Sequence, residues 1–287
     1  MSAPVMLWRD VDMAILLCTT HFSVYRKKKP AQKLFGSIMN ILIMLTSCVS
    51  HLIGIGRCIA LKLSKLGAKV FAISRTESDL DSLKKEDSSI ETRCLDIGNW
   101  DNTRKVIEEI GQVDLLVNNA AILGCKTVLE VTEEFIDEHF DVNFKAAVNI
   151  SQIVAKGIVA RKGSGAIVNI SSISGFLATP GYPMYCTTKA AMDMLTKSMA
   201  LEFGPLKIRV NSCNPSGLLT PMGEKLWTSP ELKDAFTGRI PMGRFIEPEE
   251  VANTAAFLLS DYASMINGAL VPVDGGHIIH MSSNPVQ

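Results

Sequence analysis

The chain has 287 residues, 47% of them hydrophobic, and a formal net charge of zero at pH 7, which suits one large α/β domain with a sizeable core. The balanced charge, with no long Lys/Arg run beyond Arg26–Lys29, excludes the basic footprint of a nucleic-acid-binding protein. The seven cysteines are odd in number and form no C-x-x-C pair, so neither a disulfide framework nor a metal site is indicated, and a reducing, cytoplasmic compartment is favoured.

The first part of the chain contains two apolar runs. Met13–Cys18 follows acidic residues and precedes a basic cluster, which is the reverse of a secretory signal. Ile38–Val49 is shorter than the roughly 20 residues that cross a bilayer, so a buried strand is favoured over contact with a membrane surface. We predict that residues 1–33 are an extension, poorly ordered or peripheral, to a domain of residues 34–287.

From Ile41 onward, short β-branched runs alternate with helical patterns. This alternation predicts right-handed βαβ units in a doubly wound parallel sheet, the Rossmann fold of α/β proteins. No repeat or linker divides the chain, so we expect a single domain with an insertion at Leu218–Arg244. The predicted strands are 41–45, 69–74, 90–96, 113–118, 166–171, 208–213 and 269–274, and the predicted helices lie near 56–66, 77–86, 100–110, 132–161, 183–203 and 248–260.

A glycine-containing turn follows the first predicted strand, where a dinucleotide-binding fold holds the pyrophosphate. Gly54 and Gly56 are present, but the pattern asks for three glycines. The next helix begins here, and its N-terminus attracts an anion. We therefore predict cofactor contacts from Ser50, Gly54, Ile55 and Gly56.

Ligands of doubly wound sheets bind outside the carboxyl ends of the strands, so the residues after each strand are candidates. Arg75 and Thr76 follow the second strand, roughly 20 residues beyond the glycine turn, where an arginine meets the 2′-phosphate of NADP. NADPH is therefore the predicted cofactor, the alternative being that Arg75 is only a solvated loop cation. Asp96 follows the third strand, within reach of the adenine amino group. Asn118 and Ala120 follow the fourth strand, where small side chains let a flat ring approach the backbone.

The strongest pattern follows the fifth strand. Ser172 ends that strand, and Tyr185 and Lys189 are four residues apart on the next predicted helix, which places them on one face. An ammonium near a phenol favours the phenolate, so we expect Lys189 to lower the pKa of Tyr185. With Ser172 holding a carbonyl oxygen, the three residues predict an acid–base device beside a hydride donor. A Y-x-x-x-K pair alone also arises by chance on solvated helices.

Five motifs in order carry a resemblance to the short-chain dehydrogenase/reductase family. They are "NNAA" at 118–121, "NISS" at 169–172, "YCTTK" at 185–189, "IRVNSCNP" at 208–215 and "VDGG" at 273–276.

The resemblance implies a catalytic tetrad of Asn143, Ser172, Tyr185 and Lys189. Tyr185 would be the general acid in reduction, and Ser172 would orient the substrate carbonyl. Lys189 would also hold the nicotinamide ribose, and Asn143 would help to hold the water that links Lys189 to solvent.

The same resemblance places Pro215, Leu218 and Thr220 around the nicotinamide and Trp227 as an aromatic lid over a small substrate, although a packing role for Trp227 is nearly as well supported. The stretches "SRTESDLDSL", "YCTTKAAMDMLTK" and "MGEKLW" are similar to a group within the family. That group reduces α-dicarbonyls and certain ketoses, such as L-xylulose to xylitol, with NADPH. Its members are typically homotetramers, and the helices at 132–161 and 183–203 would suit a four-helix contact.

The family pattern fails at the glycine turn. Aligned on Gly54, the family's Thr falls on Val49 and its first glycine on Ser50, where a β-carbon is disfavoured. The strand should also end near Cys48, so either the strand is 45–49 or extra residues lengthen the loop. Two alternatives stay open: divergence that weakens cofactor binding, or an altered exon or unspliced sequence over about residues 1–53, which we favour.

Three functions therefore compete. The first is an NADPH-dependent reductase of small carbonyl compounds. The second is a non-catalytic scaffold or subunit that keeps the fold but binds the cofactor poorly. The third is an alcohol or hydroxysteroid dehydrogenase of the same family.

Overall fold

A computed structural model of the chain describes residues 39–45, 54–224 and 226–279. Seven parallel strands form one sheet in the order β3–β2–β1–β4–β5–β6–β7, which confirms the predicted fold class. The strands are β1 (Asn40–Met44), β2 (Lys69–Ser74), β3 (Glu91–Cys94), β4 (Leu115–Asn118), β5 (Gly165–Ile170), β6 (Ile208–Pro215) and β7 (Leu270–Val273).

Helices cover both faces of the sheet, as the right-handed crossovers between parallel strands require. The α-helices are α1 (Ile55–Lys65), α2 (Glu77–Glu86), α3 (Trp100–Ile110), α4 (Glu133–Phe140), α5 (Ala146–Ala160), α6 (Pro183–Phe203), α7 (Pro221–Glu224), α8 (Pro230–Thr237) and α9 (Pro248–Leu259).

The central strand β1 shows how the sheet is buried on both faces. Its successive side chains point to opposite faces. Ile41 and Ile43 pack in a cluster with residues of α1 and α9, while Leu42 and Met44 pack in a second cluster with residues of α3 and α5. A strand buried on both sides reads as a continuous apolar run, which is why this one was recognisable.

The alternative strand over 45–49 falls mostly on residues outside those described, so it stays a prediction. β1 ends at Met44, and Leu45 adds one further bond by donating its N–H to the Ile73 carbonyl at 2.7 Å. The register that pairs Met44 with Ile73 explains this end, because β2 itself ends one residue later at Ser74. The other alternative, extra residues in the loop before Gly54, likewise falls on residues that the structure does not describe.

Two further differences bear on the site. The helix predicted over 132–161 is divided by a π-helical segment, Asp141–Lys145, between α4 and α5. The insertion predicted at Leu218–Arg244 contains two helices, α7 and α8.

The predicted extension, residues 1–33, and the predicted contact Ser50 lie outside the described residues. The division of the chain at residue 33 therefore stays a prediction. Among the helices that the structure describes, none is long and apolar enough to cross a membrane.

Candidate active site

A cavity of about 500 Å³ opens at the carboxyl ends of the strands. Gly54 and Ile55 line one end, and Trp227 and Phe236 line the other. Ser172, Tyr185 and Lys189 also line it, so the structure brings together three of the four predicted tetrad residues at one surface.

The Tyr185 side chain is set in this wall by α6, which begins two residues earlier with Pro183 at a position that suits proline. Its hydroxyl is hydrogen-bonded to Ser172, whose Oγ also accepts the N–H of Ser174 at 3.1 Å. Removal of the phenol from water raises the pKa of Tyr185 to about 12, and the bond to Ser172 opposes this only in part. The phenol therefore keeps its proton at neutral pH.

Lys189 lies one turn further along α6, with only 2% of its surface exposed. Its Nζ donates to the Ile170 carbonyl at 2.7 Å and lies 5.5 Å from the centre of the Tyr185 ring. Burial lowers the pKa of Lys189 to about 8, and the charge of Asp193 opposes that fall.

The prediction that Lys189 lowers the pKa of Tyr185 is not what this arrangement gives. The net shift of the Tyr185 pKa is upward, because burial outweighs the favourable contacts of the phenol. The Lys189 ammonium is bonded to a backbone carbonyl at the end of β5 instead of the phenol oxygen.

Asn143 lies in the π-helical segment, and its side-chain amide is hydrogen-bonded to neighbouring residues through both its oxygen and its nitrogen. Its Oδ1 accepts the N–H of Ile122 at 2.7 Å, and its Nδ2 donates to the Ile122 carbonyl at 3.0 Å and to Thr188 Oγ1 at 3.1 Å. Thr188 Oγ1 in turn donates to the Tyr185 carbonyl at 2.9 Å. Asn143 thus ties the segment after β4 to α6 from behind the cavity, and its side chain has no hydrogen left for a water.

At the other end of the cavity, α1 begins at Gly54 with no side-chain cap and no acidic residue in its first turn. Within the residues that the structure describes, its first N–H groups are therefore available to an anion such as a pyrophosphate. A β-carbon on Gly56 would lie 2.5 Å from Nδ2 of Asn119, so a larger residue would displace the Asn119 side chain, which follows β4. The described part of the turn fits a dinucleotide.

The predicted adenosine contacts lie at the same edge of the sheet. Arg75 is exposed directly after β2, and Thr76 forms the N-cap of α2. Asp96 is exposed just after β3 and accepts the N–H of Gly98 at 3.0 Å. These positions agree with the topology that the sequence predicted.

The turn after β4 shows which of its neighbouring residues meets the cavity. Asn118 does not line it, because its Nδ2 donates to Ser151 and Asn169 at 3.0 and 2.9 Å beneath the sheet edge. Asn119 does line it and also donates to the Met44 carbonyl at 2.9 Å. Ala120 is likewise absent from the wall, where its neighbour Ala121 is found. The alternation of side chains along the strand was the signal that would have selected Asn119 over Asn118.

The far wall is built by the segment after β6 and by α8. Pro215, Leu218 and Thr220 all line the cavity, as predicted for the nicotinamide side. The Trp227 ring packs 4.1 Å from that of Phe236, and its Nε1 is buried without a hydrogen-bond partner in the described chain. Trp227 therefore packs against Phe236 and also lines the cavity, and its role as a lid over the substrate stays a prediction.

Sequence reasoning missed several polar residues of this region. His277 lines the cavity, with its Nδ1 2.7 Å from Ser216 Oγ, and Arg239 lines it nearby. No aspartate or glutamate is among the described lining residues, and the described chain holds no cluster of ligands suited to a metal ion. The site suits proton transfer beside an anionic dinucleotide, with the phenol of Tyr185 as the proton donor.

Comparisons with known proteins agree with this geometry. The sequence matches, over residues 49–277, the family model described as Enoyl-(Acyl carrier protein) reductase. An L-xylulose reductase of Bos taurus is 49% identical over 225 residues, which cover 78% of this chain and 92% of the relative. Carbonyl reductase (NADPH) 2 of Sus scrofa is 45% identical, with the same coverage. A crystal structure of a gluconate 5-dehydrogenase from Burkholderia cenocepacia, in complex with NADP and tartrate, superposes with a TM-score of 0.80 at 27% identity, over 88% of this chain and 99% of that one.

Proposed function

Because the chain belongs to the short-chain dehydrogenase/reductase family, we propose that it reduces small carbonyl compounds, α-dicarbonyls and ketoses such as L-xylulose, with NADPH as hydride donor. The observation that carries this proposal is the meeting of Ser172, Tyr185 and Lys189 on the wall of one cavity that reaches the start of α1. The names of relatives that reduce xylulose and other carbonyls support the substrate class.

Several residues would hold the cofactor. The N–H groups at the start of α1, after Gly54, would bind the pyrophosphate, and Arg75 would meet the 2′-phosphate. Asp96 would reach the adenine, and the segment from Pro215 to Thr220 would enclose the nicotinamide. Once bound, NADPH supplies the hydride for the carbonyl carbon.

In the proposed reaction, Ser172 donates a hydrogen bond that orients the carbonyl oxygen of the substrate. Tyr185 transfers its phenolic proton to that oxygen as negative charge develops there. The protonated Lys189, whose Nζ lies 5.5 Å from the centre of the Tyr185 ring, would stabilise the phenolate that forms as the proton leaves. Asn143 would help to hold the water that links Lys189 to solvent, and since both hydrogens of its side-chain amide are donated to protein partners, it would do so as an acceptor.

We further propose a cytoplasmic homotetramer. The support is a set of exposed apolar side chains on the long helices, with Val159 of α5 42% exposed, and Met194 and Leu201 of α6 61% and 80% exposed. Apolar surface of this kind is typical of an interface. Light scattering coupled to size-exclusion chromatography tests it, and a mass of one chain contradicts it.

The function is tested by following the oxidation of NADPH and of NADH with diacetyl, L-xylulose, a ketosteroid and 5-ketogluconate as substrates. We expect turnover with diacetyl and L-xylulose and a preference for NADPH. Turnover confined to the steroid or the sugar acid would place the chain elsewhere in the family. Failure to bind NADPH in a fluorescence titration would support the scaffold alternative, whereas a protein that binds NADPH but reduces none of the four would contradict the proposed substrate class.

The pKa directions predict how the rate depends on pH. Tyr185, with a pKa of about 12, keeps its proton throughout, whereas Lys189 loses its proton as the pH rises through about 8. We therefore expect kcat/KM for NADPH to be constant at lower pH and to fall above a pH near 8, since this parameter reports groups of the free enzyme. Initial rates from pH 6 to 10 measure this limb.

Two matched substitutions test whether Lys189 causes the fall of kcat/KM above a pH near 8. Lys189→Arg carries a guanidinium that stays protonated, so any activity it retains should lack the fall near pH 8. Lys156→Arg makes the same change at an exposed position of α5 and should keep the limb. A limb that persists in Lys189→Arg contradicts the assignment.

A further inference from the structure

A buried carboxylate stands behind the site, on a residue with no assigned role. Asp193 is 5% exposed and lies one helical turn beyond Lys189, so the two side chains share one face of α6. Both carboxylate oxygens accept from Asn214 Nδ2, at 2.9 and 3.0 Å. The Ser171 hydroxyl lies within hydrogen-bonding reach of this carboxylate and 3.2 Å from the Lys189 carbonyl.

The same asparagine connects Asp193 to the active-site serine. Asn214 Nδ2 also donates to the backbone carbonyl of Ser172 at 3.1 Å, and its Oδ1 accepts from Ser212 Oγ at 2.7 Å. Asn214 and Ser212 are completely buried. The Asn214 amide is buried and is bonded through both its oxygen and its nitrogen, so it has one orientation. The Asp193 carboxylate therefore fixes Asn214, and Asn214 in turn fixes the backbone of Ser172.

The backbone of the turn after Ser172 passes close to this carboxylate. A β-carbon on Gly175, in the short 3₁₀ turn after Ser172, would lie 2.4 Å from Asp193 Oδ2. The 3₁₀ turn and α6 therefore pack closely around the Asp193 carboxylate, which has little contact with solvent.

The charges around Lys189 single out Asp193. Among the described residues, the Asp193 carboxylate is the negative charge that raises the Lys189 pKa, against the effect of burial. Tyr185 on the same helix is neutral, and Lys197 adds only positive charge near Asp193. On the π-helical segment packed against α6, Asp141 and Lys145 form their own exposed ion pair at 2.6 Å.

We propose that Asp193 is a positioning residue of the active site, whose charge keeps Lys189 in the ammonium form and whose bond to Asn214 fixes Ser172. The expected effect of Asp193 on turnover rests on the proposed reductase function. Its expected effect on the Lys189 pKa does not, because that pKa is a property of the folded chain without substrate or cofactor.

The direct test is the pKa of Lys189 in the cofactor-free protein. Lysines labelled with ¹³C at Cε are titrated by NMR, and the Lys189 signal is identified by its loss in Lys189→Met. Asp193→Asn keeps an acceptor for Asn214 and removes only the charge. We expect it to lower the Lys189 pKa by about one unit, the effect typical of a nearby opposite charge. Glu202→Gln, an exposed carboxylate on the same helix, should leave the pKa unchanged.

Turnover gives a second readout. If Asp193→Asn lowers the Lys189 pKa by about one unit, the fraction of Lys189 that is protonated at pH 8 falls to about one fifth of the wild-type fraction. We therefore expect kcat/KM for NADPH to fall about fivefold at pH 8 and to recover towards pH 6. A loss of equal size at every pH would mark a merely structural role and would overturn the proposal.

The two hypotheses fail separately. If the wild type reduces no substrate, the proposed function is wrong while the NMR titration still decides the role of Asp193. If Asp193→Asn does not fold, the wild-type titration decides: the Lys189 signal should show a second, acid-side inflection at the pH where the Asp193 carboxyl carbon titrates. An unchanged Lys189 pKa in folded Asp193→Asn, or a wild-type Lys189 signal without that inflection, overturns the proposal.

Discussion

Tyr185→Phe is expected to lower kcat for diacetyl reduction by about 10²- to 10⁴-fold, the range that a positioned general acid contributes. The substitution removes the proton donor and the hydrogen bond to Ser172, and it leaves the ring in the same wall of the cavity. NADPH affinity should change little, because the phenol is not the group that binds the dinucleotide phosphates. Initial rates at saturating NADPH and fluorescence titration measure the two quantities.

Tyr262→Phe is the matched control, since Tyr262 is 75% exposed and does not line the cavity. It should retain wild-type kcat and affinity. Near-normal turnover by Tyr185→Phe would refute the assigned mechanism. A loss of NADPH binding in that variant would instead assign Tyr185 a role in holding the cofactor.

The sheet could be predicted from the sequence because burial on two faces leaves a visible trace. Leu116 and Val117 of β4 and Ile167 and Val168 of β5 are fully buried, and a short run of such residues between turns is typical of a strand covered on both sides. The residues after these strands could then be placed at one edge without knowing any contact. The family motifs added the tetrad, and three of its members do meet in the cavity.

The π-helical segment could not be predicted in this way. Its five residues, Asp141–Lys145, continue the polar and apolar pattern of the helices on either side, so a window of helical length reads straight through them. The widened turn is visible only in the backbone, where the Asn143 side chain bonds both polar backbone groups of Ile122.

The direction of the Tyr185 pKa was beyond the sequence because it depends on burial. The spacing shows that Lys189 is near, but it does not show how far each group is removed from water. Desolvation raises the phenol pKa and lowers the ammonium pKa, so it acts against both charged forms at once. Asp193 was missed because an aspartate four residues after a lysine usually belongs to a solvated helix face.

The sequence and the structure leave one question about the glycine turn, which is whether it binds NADPH with its altered entrance. Ser50 falls outside the described residues, so the altered entrance of the turn stays a prediction about cofactor affinity. Gly54 is the N-cap of α1 and Gly56 lies in its first turn, which are the positions that we predict to meet the pyrophosphate. The scaffold alternative therefore depends on whether this remaining half binds NADPH.

Gly56→Ala tests that half of the turn. The new β-carbon would lie 2.5 Å from Asn119 Nδ2 and 3.0 Å from Leu45 Cδ2, closer than side chains tolerate. Asn119 would have to give up its bond to the Met44 carbonyl, which joins the end of β1 to the turn after β4. We expect the free energy of unfolding to fall by about 1–3 kcal/mol, as overpacking costs. NADPH affinity should fall at least about tenfold, because the start of α1 must shift, and about 1.4 kcal/mol of lost binding is enough for that.

Gly157→Ala is the matched control for this substitution. Gly157 lies within α5, and the nearest atom to its new β-carbon is Arg161 Nη1 at 3.5 Å, an ordinary contact. It should be neutral or stabilising by up to about 1 kcal/mol, since alanine favours helix, and should leave NADPH affinity unchanged. Urea unfolding and fluorescence titration of both variants separate the outcomes. A Gly56→Ala protein that is destabilised but binds NADPH normally would show that this glycine serves packing alone. A selective loss of binding would show that the turn holds the cofactor despite its altered entrance.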